Sequence, residues 1–499
     1  MEYRKPFETA TPEQVGIPSE LICEYIENLE KSQTEMHGLM IMRHNKLIAQ
    51  GWWAPYGPNL RHGLQSHTKT YAATAVGIAY TEGILDLNER LIDIFPDEAP
   101  ENPSENLQLL TVFDVLCMGC GMDTMPKPSA DWIREFLHTP VNHKPGTTYM
   151  YNSTGSTMLG AIVRKKTGLG LHDYLTPRLF NKIGINPDNL RWACMPDGME
   201  VGGGGLFATL EDNFRLMKLY ADGGMWENER ILAEDYVNLA ITNQNDSATE
   251  AINNPAASDN FLGYGFQIWM CKPDRAYRAD GAMGQFTIVL PELDMIIGIT
   301  ETAAGAHWAQ ATLDITWDFV AKITENSSLP ENRKAYDKLN HKLKRLNIGN
   351  PLCQPFSPVI REVTGVKYKL TSGILTPFGG NFMSGQTADN IDTFHFDFDD
   401  YGFVWHFETK SGRKEAIRFA TNGTRFTNYL GKSEDLTQIY LGDGYFDEQN
   451  KLIVHGRWVE TCIEDTYVFN FHDGKIDVES KNNSAFFWKQ PDPIKAEKI

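Results

Sequence analysis

Residues 66–100 read SHTKTYAATAVGIAYTEGILDLNERLIDIFPDEAP. Ala72, Ala73, Val76, Ile78 and Ala79 make an apolar face, which predicts a helix beginning near Ser66 and ending at Gly83. Its small side chains would let it sit deep in a core. At its start stands Ser66-His67-Thr68-Lys69. Three residues is almost one turn, so Ser66 and Lys69 share a face. A serine hydroxyl is a poor nucleophile until a neighbouring base removes its proton. A lysine on the next turn can do this when burial or nearby cations hold it neutral. The helix N-terminus adds a field that favours an oxyanion. His67 projects about 100° away round the helix, out of easy reach of the Ser66 hydroxyl. Taken alone, the tetrapeptide also fits an N-cap serine beside a surface lysine.

Working outward, residues 18–33 carry apolar positions at helical spacing, and 38–53 (GLMIMRHNKLIAQGWW) read as two strands around a tight turn at His44-Asn45. A mixed, mostly helical segment runs to about 250. Strands return at 286–290 and 294–301, joined by PEL, with a helix through 307–323. Strands first, helices in the middle and strands again predict an α+β fold: an antiparallel sheet flanked by helices, with a helical subdomain, over 1–325. Residues 326–357 are polar, basic and closed by prolines, and read as a linker with one exposed helix. From 358 to 499, short aromatic-rich alternating runs such as DTFHFDF, GFVWHFET and DTYVFNFH predict an antiparallel barrel or sandwich, with a lipocalin-like barrel as the expected form.

The 499 residues are too many for one core. A formal charge of −19 cannot neutralise phosphates, so nucleic-acid and anionic-membrane partners are not expected. No secretory h-region and no run of 18 apolar residues is present, which points to a cytoplasmic protein. Seven scattered cysteines fit a reducing compartment. Cys117 and Cys120 form a lone CxxC, read as the end of a buried helix rather than redox or metal chemistry. Neither HExxH nor another metal-ligand cluster is evident, and the glycines of VGGGGL read as a turn into a helix over 210–220.

Residues 66–100 resemble the nucleophile helix and following loop of the class C β-lactamase and penicillin-binding-protein superfamily. Further blocks resemble that superfamily in order: KPGTTYMYNSTGSTMLG (144–160), VGGGGLFATLEDNFRLMKLYADGG (201–224), GYGFQIW (263–269) and the hairpin YRADGAMGQFTIVLPELDMIIGIT (277–300). Together they cover roughly residues 10–325. The resemblance implies Ser66 as nucleophile, Lys69 as its base and Tyr151 as the family tyrosine, with Tyr149 competing. The family asparagine position falls on Ser153, with Asn152 beside it; either could bond Lys69 or a substrate carbonyl. Where the family commonly has Lys-Thr-Gly or His-x-Gly, this chain has Ala279-Asp280-Gly281. The glycine is kept and the cation is lost. The amides of Ser66 and Ala282 would form the oxyanion hole. His307 is expected close to Ala279 on the substrate side, unless it simply begins a surface helix.

The implied activity is that of a serine hydrolase that forms an acyl-enzyme at Ser66 and cleaves small ester, amide or peptide substrates without a cofactor. The missing cation and missing export signal count against a true β-lactamase or D,D-peptidase. Intact Ser66, Lys69 and Tyr151 count against a non-catalytic binding protein. The C-terminal domain would cover the active-site mouth or build a homo-oligomer contact.

Overall fold

The run Glu35–Arg43 (β1) turns at His44-Asn45 and returns as Lys46–Trp52 (β2). The two turn residues sit at φ 48° and 58°, the paired left-handed conformation that matches the twist of a two-residue hairpin. The computed structural model describes residues 4–126, 129–246, 257–303, 309–354, 357–378, 388–432, 434–461, 463–483 and 493–499. Within these the chain forms two compact units, one up to residue 347 and one from 348 onward.

In the first unit, Trp269–Met270 (β3), Tyr277–Gly281 (β4), Gln285–Leu290 (β5) and Met295–Thr302 (β6) complete a six-stranded sheet in the order β2-β1-β6-β5-β4-β3. The returning hairpin therefore pairs with the first one, β6 lying antiparallel to β1. Helices cover both faces. Thr300 points to the side of Leu210 on helix Leu210–Ala221, whereas its neighbour Glu301 reaches Thr312 on helix Gln310–Val320. That alternation is the two-residue period of a strand. Helix Thr68–Thr81 is buried at every position from 68 to 79 and packs on helix Ser153–Thr167. A helix buried all round needs small side chains, which explains its alanines and threonines.

The segment expected as a linker differs. Its helix, Arg333–Leu343, buries Ala335 and Leu339 and packs on helix Ser19–Lys31 and on β2. It belongs to the first unit, because an Ala/Leu face recurs within an otherwise charged stretch. Cys117 and Cys120 are buried free thiols, and burial pushes Cys117 up to about 12.

The second unit is built from Tyr368–Ser372 (β7), Ile391–Asp399 (β8), Gly402–Thr409 (β9), Lys414–Ala420 (β10), Phe426–Tyr429 (β11), Ile439–Phe446 (β12), Leu452–Trp458 (β13), Glu464–His472 (β14), Lys475–Asn482 (β15) and Ile494–Lys498 (β16). Nine of these close into a barrel, the first strand pairing with the last and β10 meeting β12. β11 pairs only at the edge of β12. An odd number of strands cannot alternate direction all the way round, so one junction must be parallel. It is the Ala420–Asp443 pair. Asn428 braces that junction: its side chain donates to the carbonyls of Arg418 and Tyr440 and accepts from the Arg418 amide. Phe394, Phe396, Phe403, Trp405, Phe419, Tyr467 and Phe469 pack the interior. A further aromatic run that the sequence offers as a strand, SAFFWK (484–489), lies outside the described residues. No helix among the described residues is long and apolar enough to cross a membrane.

Glu301 makes the sheet–helix contact titratable. Burial pushes its carboxyl from 4.5 up to about 8. Thr312 Oγ1 lies 2.9 and 2.8 Å from its two oxygens. The Thr312 and Thr34 hydroxyls favour the carboxylate, but burial outweighs them and the proton is kept. Between pH 4.5 and about 8 the folded chain holds a proton here that the unfolded chain has lost, so this group's contribution to stability declines as pH rises through that window. Glu301→Gln is expected to match the parent in urea midpoint near pH 5 and to exceed it near pH 8. A variant weaker than the parent at the higher pH would contradict this account.

Candidate active site

Gln65–His67 form a single tight turn that leads into helix Thr68–Thr81. Gln65 sits at φ 50°, a strained conformation for a non-glycine residue, directly before Ser66. The turn is tied down by Leu64 N donating to the Leu206 carbonyl and Leu206 N donating to Thr68 Oγ1. Ser66 is half-buried, and Lys69 is 1% exposed. Lys69 Nζ donates to Ser66 Oγ at 2.9 Å and to the Gly203 carbonyl at 2.5 Å. Burial brings the Lys69 ammonium from 10.5 down to about 7, with Asp280 opposing the shift. The expected Ser66–Lys69 juxtaposition is present, and the surface-lysine alternative is not.

The glycine run holds this arrangement from above. A Cβ on Gly203 would stand 2.1 Å from the Ser153 carbonyl oxygen, and one on Gly202 2.6 Å from that of Ser156. The strap is therefore pressed onto helix Ser153–Thr167, with Gly203 N donating to Thr157 Oγ1. Only a chain without side chains approaches so closely and still turns a carbonyl toward Lys69. From sequence these glycines were read only as a turn. The signal was their number, four in a row beside no phosphate motif.

Tyr151 lies against Lys69, whose Nζ is 4.7 Å from the ring centroid. The ring stacks on Trp269 at 5.6 Å and meets Tyr264 edge-on. Tyr149 packs edge-on against Tyr264 and Trp269. Asn152 has a different task from the one expected. It is fully buried, and its Oδ1 accepts from the Gly155 amide as the cap of helix Ser153–Thr167. The motif position next to the tyrosine is thus used to start a helix, as the preference of asparagine for caps allows. Ser153 is half-buried, and its backbone carbonyl touches the Gly203 strap.

Strand β4 approaches from the other side. A Cβ on Gly281 would stand 2.1 Å from the Leu64 carbonyl, two residues before Ser66. Ala282 follows at the half-buried end of the strand. Ala279, expected on the substrate side, is fully buried in the strand. Asp280 is partly exposed and lies close enough to raise the affinity of Lys69 for its proton. It accepts from Arg278 Nε at 2.8 Å. Arg278, unnoticed in the sequence, is fully buried and also donates to the Met270 carbonyl and Asn260 Oδ1. All three of its nitrogens are engaged, so it does not replace the missing cation toward a ligand. His67 turns away from Ser66 to Thr287 Oγ1, and burial pushes it down to about 4. His307 lies outside the described residues.

Residues 26–317, more than half of the chain, match the Beta-lactamase family model. The chain belongs to the beta-lactamase family. Its named relatives are hydrolases. It is 23% identical over 313 residues to the 6-aminohexanoate-dimer hydrolase of Paenarthrobacter ureafaciens, covering 58% of this chain and 78% of that one. It is 22% identical over 212 residues to a Salmonella agona protein provisionally named D-alanyl-D-alanine carboxypeptidase. That match covers 36% of this chain and spans about half, 49%, of the relative. Among solved structures, a Bacillus anthracis protein provisionally named 6-aminohexanoate-dimer hydrolase aligns with TM-score 0.52 at 16% identity, over 66% of this chain and 90% of that one. A Bacteroides dorei protein provisionally named β-lactamase aligns with TM-score 0.51 at 16% identity, over 61% and 98%. These two likenesses show the shared fold.

Within this family member the strap is the piece most easily tested. Gly203→Ala forces the Ser153 carbonyl and the strap apart. The expected cost is about 1–3 kcal/mol, the range for overpacking a tight core. Calorimetry should show a lower thermal midpoint, with the tryptic pattern of the second unit unchanged. An unaltered midpoint would mean that the strap does not clamp the helix.

Proposed function

We propose that the protein is a serine hydrolase that forms an acyl-enzyme at Ser66 and cleaves small ester, amide or peptide bonds. The observation that carries this reading is the buried Lys69 amine 2.9 Å from Ser66 Oγ, held near pKa 7. A neutral amine has two N–H groups and one lone pair. Gly203 accepts one N–H, and the lone pair is then available to the Ser66 O–H. Ser66 Oγ attacks the substrate carbonyl carbon while its proton passes to Lys69. The amides of Ser66 and Ala282 hold the oxyanion, supported by the approach of β4 to the nucleophile turn. The tetrahedral adduct collapses and expels an alcohol or amine, which takes the proton from Lys69. Water then attacks the Ser66 ester and gives a proton to Lys69; the adduct breaks its bond to Ser66 Oγ, which takes that proton back as the acid leaves. Tyr151, whose ring lies beside Lys69, shares the proton transfers.

A fluorophosphonate probe is expected to label Ser66 and to lose that label in Ser66→Ala, with hydrolysis of a nitrophenyl ester falling by several orders of magnitude. Lys69→Ala and Tyr151→Phe should each cut turnover, and together far less than the product of the two losses, as for groups that act as a unit. Full labelling of Ser66→Ala would remove the nucleophile assignment.

The pH dependence follows from the same amine. Lys69 works as a base only when neutral, so kcat/KM is expected to rise with pH through about 7 and then level off. His62 and His67 are pushed down to about 3 and about 4 by burial, so neither supplies that limb. A profile flat from pH 5 to 9 would exclude Lys69 as the base.

Asp280 orders the substrates. Its carboxylate lies beside Lys69, and Arg278 is fully buried beneath the strand, out of reach of a ligand. Neutral esters and amides are therefore expected to outpace carboxylate-bearing lactams such as nitrocefin. Nitrocefin turnover equal to the best ester would restore the β-lactamase reading.

A further inference from the structure

We propose that His395, Asp397 and His406 form a binding site for a borderline first-row divalent cation, zinc in the first instance, on the outer face of the barrel. No metal-ligand cluster is evident in the sequence because the two histidines meet only across the β8–β9 hairpin. There His395 stands directly opposite His406, and Asp397 is two residues along β8. Phe394, Phe396, Trp405 and Phe407 are buried in the core. Strand alternation therefore turns the three polar residues outward together. All three are partly exposed.

The geometry suits a small ion. Both Nε2 atoms converge on one carboxylate oxygen: Asp397 Oδ2 is 3.6 Å from His395 Nε2 and 3.3 Å from His406 Nε2. Ligands held at zinc distances around a tetrahedron are separated by roughly 3.3–3.5 Å. One ligand atom from each residue lies within 4.8 Å of the others. The two rings are parallel to within 6°, with centroids 4.6 Å apart. A modest tilt of each exposed ring lets both lone pairs reach a common ion, and the hairpin backbone need not move. Two imidazoles and one carboxylate are the donor set that first-row divalent ions take over calcium or magnesium. Water would fill the remaining position. Bound there, the ion would fasten two adjacent strands.

The test uses the full chain stripped of metal and titrated with Zn²⁺ against a colorimetric chelator. The parent is expected to bind one more equivalent than His406→Ala, and Asp397→Asn to bind at that site at least ~10-fold more weakly. Zinc should raise the thermal midpoint of the parent and leave that of His406→Ala unmoved. Co²⁺ should give visible ligand-field bands in the parent that are lost in the variants. Should His406→Ala fail to fold without metal, Asp397→Asn, a near-isosteric change at an exposed site, carries the comparison alone. Equal stoichiometry and affinity in the parent and Asp397→Asn would overturn the proposal and leave a plain histidine–aspartate charge cluster.

Discussion

Taking the Lys69 amine out of water and placing it between Ser66 Oγ and the Gly203 carbonyl sets the conditions that the rest of the first unit meets. Moving its proton affinity from 10.5 to about 7 corresponds to roughly 5 kcal/mol against the charged form. That is a large fraction of the stability of an ordinary domain. The surroundings must be dry, so the helix carrying Lys69 is buried on every side and built from small residues. They must also offer one acceptor, and a backbone carbonyl on a glycine strap supplies it without adding a charge. The strap needs a neighbouring helix at contact distance, and Asn152 starts that helix at the required point. Gln267 then ties the layers together, accepting from Ser156 Oγ and donating to the Leu116 carbonyl.

The parts of this arrangement that were legible in the sequence are local ones. Ser66 and Lys69 lie within one turn, and a small-residue helix is visible as composition. His67 is placed away from Ser66 by helical angle alone, and it does turn away to Thr287. The parts that were not legible depend on contacts between distant segments. Nothing in VGGGGL says that one of its carbonyls meets a lysine 134 residues earlier. The motif position fell on Ser153, with Asn152 a close alternative, because alignment weighs neither capping nor burial. Ala279 was read by its place in a motif, whereas its burial depends on what packs behind the strand.

In the second unit the alternating aromatic strands were readable because their inward residues are large. Ile439–Phe446 escaped notice because its middle is Gly442-Asp443-Gly444, poor strand formers by propensity. The barrel explains them. A Cβ on Gly442 would stand 2.7 Å from the Phe419 ring, at the point where strands β10 and β12 close the circle. Propensity and closure conflict there, and closure prevails. Lys475–Asn482 escaped for another reason: it buries only Ile476 and Val478, while its outward residues are charged or polar.

The anchoring of β4 is best understood through Arg278 and Asp280. A buried guanidinium without a partner carries a desolvation cost that a fold does not tolerate, and breaking such a pair is far more harmful than never having it. Asp280 supplies the charge that Arg278 requires, and the Asn260 and Met270 oxygens accept from its other two nitrogens. The pair thereby fixes the conformation of β4 just before Gly281, the point at which the strand touches the turn that carries Ser66. The same carboxylate, partly exposed, then faces the site and works against a neutral Lys69. Burial outweighs it and leaves the amine near 7. The position of this carboxylate is thus a consequence of how its strand is anchored.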